Sequence, residues 1–486
     1  MYMASKTLLI TLYSLLFNLS YSQYAQNHKP NFVLIVVDDM RFDEWSGGGH
    51  SYLKTPGLDS LAKSGSIFTR AYHVVPLCSP NRASILTGQY PSRHGIIDNS
   101  ARDRASFLLD LFPLELQKNG FKTGHVGKWH MGNNPNPRPG YDYWISFKGQ
   151  GQVQNPLLFE NGIQISTEGY ITDILTNKSI DFIKQNKDNP FFLYIAHKGI
   201  HPEAVQFDDG STDLSIPKKF IPAQRHNGIY SNSIFKRSPS YSKEAMADSG
   251  KPVVQVALKH RSEVLKQDLA WESSMDLGVS EKSIQNRAEM MLSIDESLEK
   301  IRKTLKELRI EDKTTIIVTS DNGYFFGEHG FSLERRMPYE ESVKSPLIIY
   351  VPTLKKQKSV IDGLTLSIDL SATILDLASV PIIETIQGKS LMPLLSGESE
   401  NIRNSALIEY FSNENPFPWT AQMDYRVLVT DQYKYIKWLR SDSAELYDLK
   451  NDPFEQKNLI NEKRFEGLII DLHNKLKEQQ LEALGL

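Results

Sequence analysis

Asp38-Asp39 and Asp321-Asn322 are two pairs of oxygen donors, each set directly after an apolar, β-branched run, and Cys78 is the only thiol in the chain. Oxygen donors in that number suit a hard divalent cation, calcium or magnesium. Zinc fits less well, because no cysteine or histidine cluster at zinc-ligand spacing lies nearby. Adjacent aspartates and Asp-Asn-Gly are also ordinary turn sequences, so either pair alone reads as a turn as readily as a ligand pair. The thiol is open in the same way: it is buried filler, or it is chemically used.

The flanking runs say where such residues would stand. Asn31–Val37 and Thr314–Thr319 are continuous apolar segments of the kind buried on both faces in a parallel sheet covered by helices. Ligands in open α/β sheets bind beyond the carboxyl ends of the strands, where the two acidic ends would meet. Phe191–Ala196 and Leu347–Val351 extend the same sheet. Between them, Ile284, Ala288, Met291, Ile294, Leu298, Ile301, Leu305 and Leu308 recur at spacings of three and four, the apolar stripe of one long helix. Strands alternating with helices predict an α/β fold, a large mixed, mainly parallel sheet sandwiched by helices. The polar segment from Gln206 to Pro252 reads as a long loop or lid, with disorder as the alternative. After Gly397 the texture changes to short strand-like runs, Ala406 to Phe411 and Tyr433 to Leu439. A helical stripe of Phe465, Leu468, Ile469, Leu472 and Leu476 closes the chain. These features predict a smaller C-terminal α+β subdomain over 397–486, behind a main domain over 23–396.

A chain of 486 residues, 40% hydrophobic and 23% charged, can bury a large core. Its formal charge of -3 gives no basic footprint for nucleic acid. Lys6, the apolar run Leu8 to Phe17 and the small-residue end Ser20-Tyr21-Ser22 read as a cleavable signal peptide over residues 1–22, with a buried N-terminal helix as the alternative. The run is too short to span a bilayer. We therefore expect an exported protein, periplasmic or secreted, with no membrane anchor. Export makes an unpaired cysteine a liability unless it is buried, paired between chains or used.

The segment Leu77-Cys78-Ser79-Pro80-Asn81-Arg82-Ala83-Ser84-Ile85-Leu86-Thr87-Gly88 resembles the signature of the formylglycine-dependent sulfatases, Cys-x-Pro-x-Arg followed by Thr-Gly, through Cys78, Pro80, Arg82, Thr87 and Gly88. The resemblance continues in the family's order through Asn31–Asp39, Lys54–Asp59, Gly127-Lys128-Trp129-His130-Met131-Gly132, Ile200-His201-Pro202, Asp321-Asn322-Gly323, Gly327–Gly330 and Glu445–Leu449. It implies an alkaline-phosphatase-like fold. It also implies that a maturation enzyme oxidises Cys78 to formylglycine (3-oxoalanine), whose hydrate attacks sulfur. By motif, Asp38, Asp39, Asp321, Asn322 and residue 78 would hold calcium, and Arg82 and Lys128 would bind sulfate. His201 would protonate the leaving alcohol, His130 would deprotonate the second hydroxyl, and Asp321 would take the nucleophile's proton.

The family's usual lysine before Tyr-Glu-Glu-Ser is missing. Arg335 or Arg336 would replace it, as a planar fork rather than a point charge. His197, near His201, would orient substrate or cap its strand. Trp45 and His50, in the loop Phe42–His50, would contact a sugar if that loop is not simply flexible. The expected substrate is a sulfate monoester, on a sulfated polysaccharide or oligosaccharide. The alternatives are phosphate or phosphonate ester hydrolysis at a related site, and a non-cleaving relative that binds sulfated glycans.

Overall fold

The computed structural model describes residues 29–204, 206–209, 219–241, 250–251, 280–330, 335–412 and 423–486. The expected signal peptide lies outside them, as does much of the 206–252 segment.

Sixteen strands form among the described residues, in chain order, β1 (Asn31–Val37), β2 (Ser66–Phe68), β3 (Ala71–Tyr72), β4 (Lys122–Gly127), β5 (Tyr143–Ser146), β6 (Leu157–Glu160), β7 (Ile163–Ser166), β8 (Phe191–His197), β9 (Thr314–Ser320), β10 (Leu347–Tyr350), β11 (Val360–Ile361), β12 (Thr365–Leu366), β13 (Ser405–Tyr410), β14 (Tyr425–Thr430), β15 (Tyr433–Trp438) and β16 (Ala444–Asp448). Ten of them make one sheet in the order β11-β2-β10-β9-β1-β8-β4-β5-β6-β7. Its centre, β9 to β5, is parallel, as the continuous apolar runs predict. β10 joins antiparallel to β9. A parallel neighbour needs a crossover long enough to carry the chain back along the sheet, usually on a helix. Between β9 and β10 the described residues form only short helical turns.

Alternation along β1 sorts the two faces. Val33, Ile35 and Val37 pack under the helix Glu281–Glu307 with Ile284, Ala288, Met291, Ile294, Leu298, Ile301 and Leu305, while Leu308 is partly buried at its end. That helix starts at Ser280, whose hydroxyl accepts from the Ser283 amide at 3.1 Å. Phe32, Leu34 and Val36 pack on the other face against the helices Cys78–Thr87 and Asp369–Leu377 through Ile85, Leu86, Leu370 and Ile374. The sheet is therefore sandwiched by helices.

β13 to β16 form a separate four-stranded antiparallel sheet. One face packs toward the main sheet's loops through Ile408, Tyr425 and Val427. The other is covered by Leu472 and Leu476 of the helix Glu466–Leu484. The described middle of the polar 206–252 segment is anchored rather than loose. Tyr230 and Phe235 join the core beneath the long helix, and Arg225 bridges Asp173 and Glu296 at 2.6 Å each.

Candidate active site

Register brings three strand ends abreast. Val37 pairs with Ser320 of β9 on one side and with His197 of β8 on the other, so Asp38, Asp321 and Lys198 leave the sheet side by side. Asp39 turns back with a left-handed φ of 61°, and its amide donates to Asp321 Oδ1 at 3.0 Å. Asn322 Nδ2 donates to Asp39 Oδ1 at 2.7 Å. Asp38, Asp39, Asp321 and Asn322 are all fully buried.

The chain around Asp39 is held from behind. Arg287, on the long helix, donates Nη2 to the Asp39 carbonyl at 2.7 Å and pairs with Glu44 at 2.6 Å, all three groups buried. Removing one partner of such a pair leaves a buried uncompensated charge, at a cost of about 3–5 kcal/mol. R287A should lose about that much in urea unfolding, and a loss under 1 kcal/mol would refute the bracing role.

Cys78 is the first residue of its helix, with no exposed surface, and the sulfur stands at the helix N-terminus. Its Sγ lies with carboxylate oxygens of Asp38 and Asp39 in a group whose atoms are all within 4.8 Å of one another. Burial pushes the thiol up, against the lowering fields of Arg335 and Lys128. A neutral buried thiol is a poor nucleophile as it stands, since the thiolate is the reactive form.

Three cations surround this group. Arg82, one turn along from Cys78, binds Asp321 Oδ2 through Nε at 2.8 Å and Nη2 at 2.7 Å, and donates Nη1 to the Lys128 carbonyl at 3.0 Å. Lys128 Nζ pairs with Asp38 Oδ2 and donates to Gln150 Oε1 at 2.6 Å. Arg335 reaches Asp39 Oδ2 at 3.2 Å, Cys78 Sγ at 3.6 Å and His201 Nε2 at 3.3 Å. Arg335 thus occupies the place expected for one of the two arginines, and the Arg336 carbonyl instead accepts from the Tyr425 hydroxyl at 2.6 Å.

The histidines divide. His201 Nδ1 must carry a proton, because it lies 2.6 Å from the Pro202 carbonyl, which can only accept; Nε2 then faces the site, 3.8 Å from Asp39 Oδ2. Burial, then the charges of Lys128, Arg335 and Lys198, hold His201 well below the usual histidine range. His130, at a φ of 65°, takes an amide hydrogen of Gln150 on Nε2 at 3.2 Å. Burial and then Lys128, Arg82 and Arg335 lower it in the same way. Gly127 makes this loop possible: at φ 124°, a Cβ there would meet the Ala196 carbonyl oxygen at 2.0 Å. His197 does not join the site. It shares the Ile195 face of β8 and bonds Ser297 of the long helix at 3.2 Å, and burial pushes it down to about 4.

Burial raises Asp321 to about 7, with Arg82 opposing and Asp38 adding to the rise. Burial also acts to raise Asp38, but Lys128 and Arg82 together hold it below the usual carboxylate range. Asp38 Oδ1 and Asn322 Oδ1 are buried without a hydrogen-bond partner among the described residues. Two bare oxygens beside two further carboxylates are the donor set of a hard cation, so the residues fit calcium. Asp321 also binds Arg82 and accepts from the Asp39 amide.

Trp45 and His50 correct the expectation of sugar contacts in the loop after Asp39. Trp45 is buried beneath Gly47 and Gly48. The His50 ring packs against Tyr52 and Phe235 at 4.7 and 5.1 Å and accepts from the Leu53 amide at 3.2 Å. Residues that the sequence reading passed over do stand at the site. Gln150 joins Lys128 to His130, Asn99 lies 3.9 Å from Sγ and accepts from the Ser79 amide, and Lys198 is buried at the end of β8. A cavity of about 190 Å³ opens beside Gln150, lined also by Asn133, Lys148, Gln206 and Phe207.

Acidic and amide oxygens at the ends of β1 and β9, on a mainly parallel sheet closed by an antiparallel C-terminal sheet, place the fold in the alkaline-phosphatase-like class. A sulfatase family model matches residues 30–380, and one for the C-terminal part of N-sulphoglucosamine sulphohydrolase matches 327–482. The chain belongs to the sulfatase family and is a sulfuric ester hydrolase. It is 29% identical to an N-acetylglucosamine-6-O-sulfatase of Bacteroides thetaiotaomicron, over 94% of this chain and 87% of the relative. It is 28% identical to the human N-acetylglucosamine-6-sulfatase, over 79% and 68%. A solved complex of a protein with its substrate D-glucosamine-2-N,6-O-disulfate superposes with a TM-score of 0.76 at 28% identity, covering 94% of this chain and 98% of that one. No described helix is long and apolar enough to cross a membrane.

Proposed function

We propose that this protein is an exported sulfatase that removes the 6-O-sulfate of an N-substituted glucosamine residue in a sulfated glycan. In this reading, residues 23–396 form its catalytic unit and 397–486 a supporting subdomain. The observation that carries the sulfate chemistry is the convergence of Arg82, Lys128 and Arg335 on the group formed by Cys78, Asp38 and Asp39. Buried cations stabilise the charge that grows on sulfate oxygens in the transition state. The sugar assignment is drawn from the relatives' substrates.

In this reading a maturation enzyme converts Cys78 to formylglycine, which supplies a geminal diol as the nucleophile. Calcium held by Asp38, Asp39, Asp321, Asn322 and residue 78 would offset sulfate charge and acidify that diol. The chain's own groups do the rest. Asp321, which accepts from Arg82 and the Asp39 amide, would take the nucleophile's proton. His130, kept neutral by burial and neighbouring cations, is suited to act as a base. His201 turns Nε2 into the site, 3.3 Å from the Arg335 nitrogen that also reaches Cys78 Sγ. An anionic ester seated among the cations offsets the fields that depress this ring, so Nε2 gains a proton to give the leaving alcohol. The cavity beside Gln150 would receive the sugar.

Two measurements test the proposal. The tryptic peptide carrying residue 78 should be lighter by roughly 18 Da than its cysteine form, as an aldehyde replacing a thiol requires. Glucosamine-2-N,6-O-disulfate and N-acetylglucosamine-6-sulfate should lose only the 6-sulfate, assigned by NMR, at rates at least ~100-fold above those on galactose sulfates or a phosphonate monoester. Preferential desulfation of a galactose, or faster phosphonate cleavage, would reject the assignment.

A further inference from the structure

We infer that Lys198 is a positioning residue for His201: its ammonium and the His201 ring share the Pro202 carbonyl, and that shared acceptor keeps Nε2 turned into the site beside Arg335 and Asp39. The inference rests on reading His201 as the proton donor to the leaving alcohol.

Lys198 Nζ donates to Pro202 O at 3.1 Å, and His201 Nδ1–H donates to the same oxygen at 2.6 Å. A carbonyl has two lone pairs, and here both are used. The loop that carries the three residues is fixed at its base. The His201 amide donates to the Lys198 carbonyl at 3.0 Å, the Asp38 amide to Gly199 O at 3.0 Å, and the Ile200 amide to Asp38 O at 2.9 Å. The Glu203 amide, which shares a peptide plane with the Pro202 carbonyl, donates to Lys219 O at 2.8 Å and sets that carbonyl's direction. Lys198 is the side-chain donor that braces the same oxygen beside the ring.

Packing alone does not explain a lysine at this place. The side chain is 1% exposed, and desolvating an ammonium is costly, so a neutral chain of the same length would fill the space more cheaply. Its hydrogen bond to a neutral carbonyl does not by itself compensate a charge. Burial and then Lys128 push its pKa down to about 8, against the carboxylates of Asp38, Glu203 and Asp39.

The consequence falls on one step. When the S–O bond breaks, its electron pair goes to the bridging oxygen, and an alkoxide leaves only if it receives a proton. His201 Nε2–H gives that proton, provided the ring points at the oxygen. An acidic phenol leaves as its anion and needs no such donor.

The test uses the full-length matured enzyme and two sulfate esters, N-acetylglucosamine-6-sulfate and 4-nitrophenyl sulfate. K198M should lower kcat on the sugar sulfate about 30- to 300-fold, change KM little, and lower aryl sulfate turnover less than about threefold. K198R, which keeps a charged donor, should recover most of the loss. H201A should show the same selectivity, more strongly, and adding K198M to it should cost nothing further. Equal losses on both esters in K198M, or additive losses in the double variant, would overturn the inference. If H201A is itself unselective, the reading of His201 as acid falls and the inference falls with it. If H201A is selective and K198M is not, only the role of Lys198 falls. Should K198M fail to accumulate, the same ratio of rates is read from K198R and K198Q.

Discussion

C78A is expected to lower turnover by at least ~10⁴-fold while changing the unfolding midpoint little. The first part follows from the absence of any other candidate nucleophile among the described residues that converge on the site. The nucleophile of a covalent mechanism, when removed, takes most of the rate with it. The second part follows from chemistry as plain as a thiol replaced by a methyl-sized group in a fully buried position, which costs on the order of 1 kcal/mol. C78S separates the proposed modification from ordinary nucleophilic catalysis. A serine hydroxyl can attack sulfur once, but it has no second hydroxyl whose deprotonation expels sulfate. C78S, with its serine shown intact by mass, should therefore gain about 80 Da on one peptide during a single turnover and then stop. Sustained turnover by C78S above about 1% of the matured enzyme would sink the assignment of residue 78. Burial adds a condition on how the enzyme is made. Cys78 has no exposed surface, so the proposed maturation enzyme would have to reach it before the chain closes around it.

The strand ends were legible because the signal is local. An apolar run long enough to be buried on both faces, followed at once by two oxygen donors, specifies both the position of Asp38-Asp39 and the position of Asp321-Asn322. The long helix was legible for the same reason: its stripe keeps one period over Ile284 to Leu305. Parity at the end of β8 was not. His197 looks like chemistry in the sequence and Lys198 does not stand out, and only the register with β1 shows that the histidine faces the long helix while the lysine leaves beside Asp38. The brace on Asp39 was equally hidden, since Arg287 and Glu44 are brought together across 243 positions. The Gly47-Gly48-Gly49 run suggested an open loop. The glycines instead let the chain close over Trp45, where a Cβ on Gly47 would meet the indole at 2.3 Å. Composition correctly signalled backbone freedom, and tertiary packing decided its use.

Metal-free protein should lose stability as pH rises through 7, and calcium should restore it, with the largest effect at the highest pH. The reasoning starts from Asp321. Its carboxyl is pushed up to about 7 by burial, Arg82 opposing and Asp38 adding to the rise. An unfolded aspartate titrates near ~3.9. A group bound more tightly to its proton in the folded state stabilises that state below its unfolded value and loses the contribution as pH rises through the folded one. The window here is therefore pH ~4 to 7, and the loss is on the order of 4 kcal/mol. Asp38 works in the opposite direction, but its shift lies below the usual carboxylate range, so it acts only under more acid conditions. A divalent cation beside these carboxylates removes the reason for the proton. Binding at pH 6 should release close to one proton per ion, and binding at pH 8.5 almost none, as calorimetry in two buffers of different ionisation enthalpy would report. Affinity should climb about tenfold per unit up to pH 7 and then level. The unfolding midpoint of chelator-treated protein should fall from pH 5 to 8 while that of the calcium-loaded form holds, and D321N should flatten the chelated profile. Chelation should also lower activity by at least ~10³-fold, since Arg82, Lys128 and Arg335 would then face sulfate alone while three carboxylates repel it. A midpoint gap between loaded and stripped protein that is the same at pH 5 and pH 8 would show that Asp321 does not couple a proton to the cation, and would move the ligand set elsewhere.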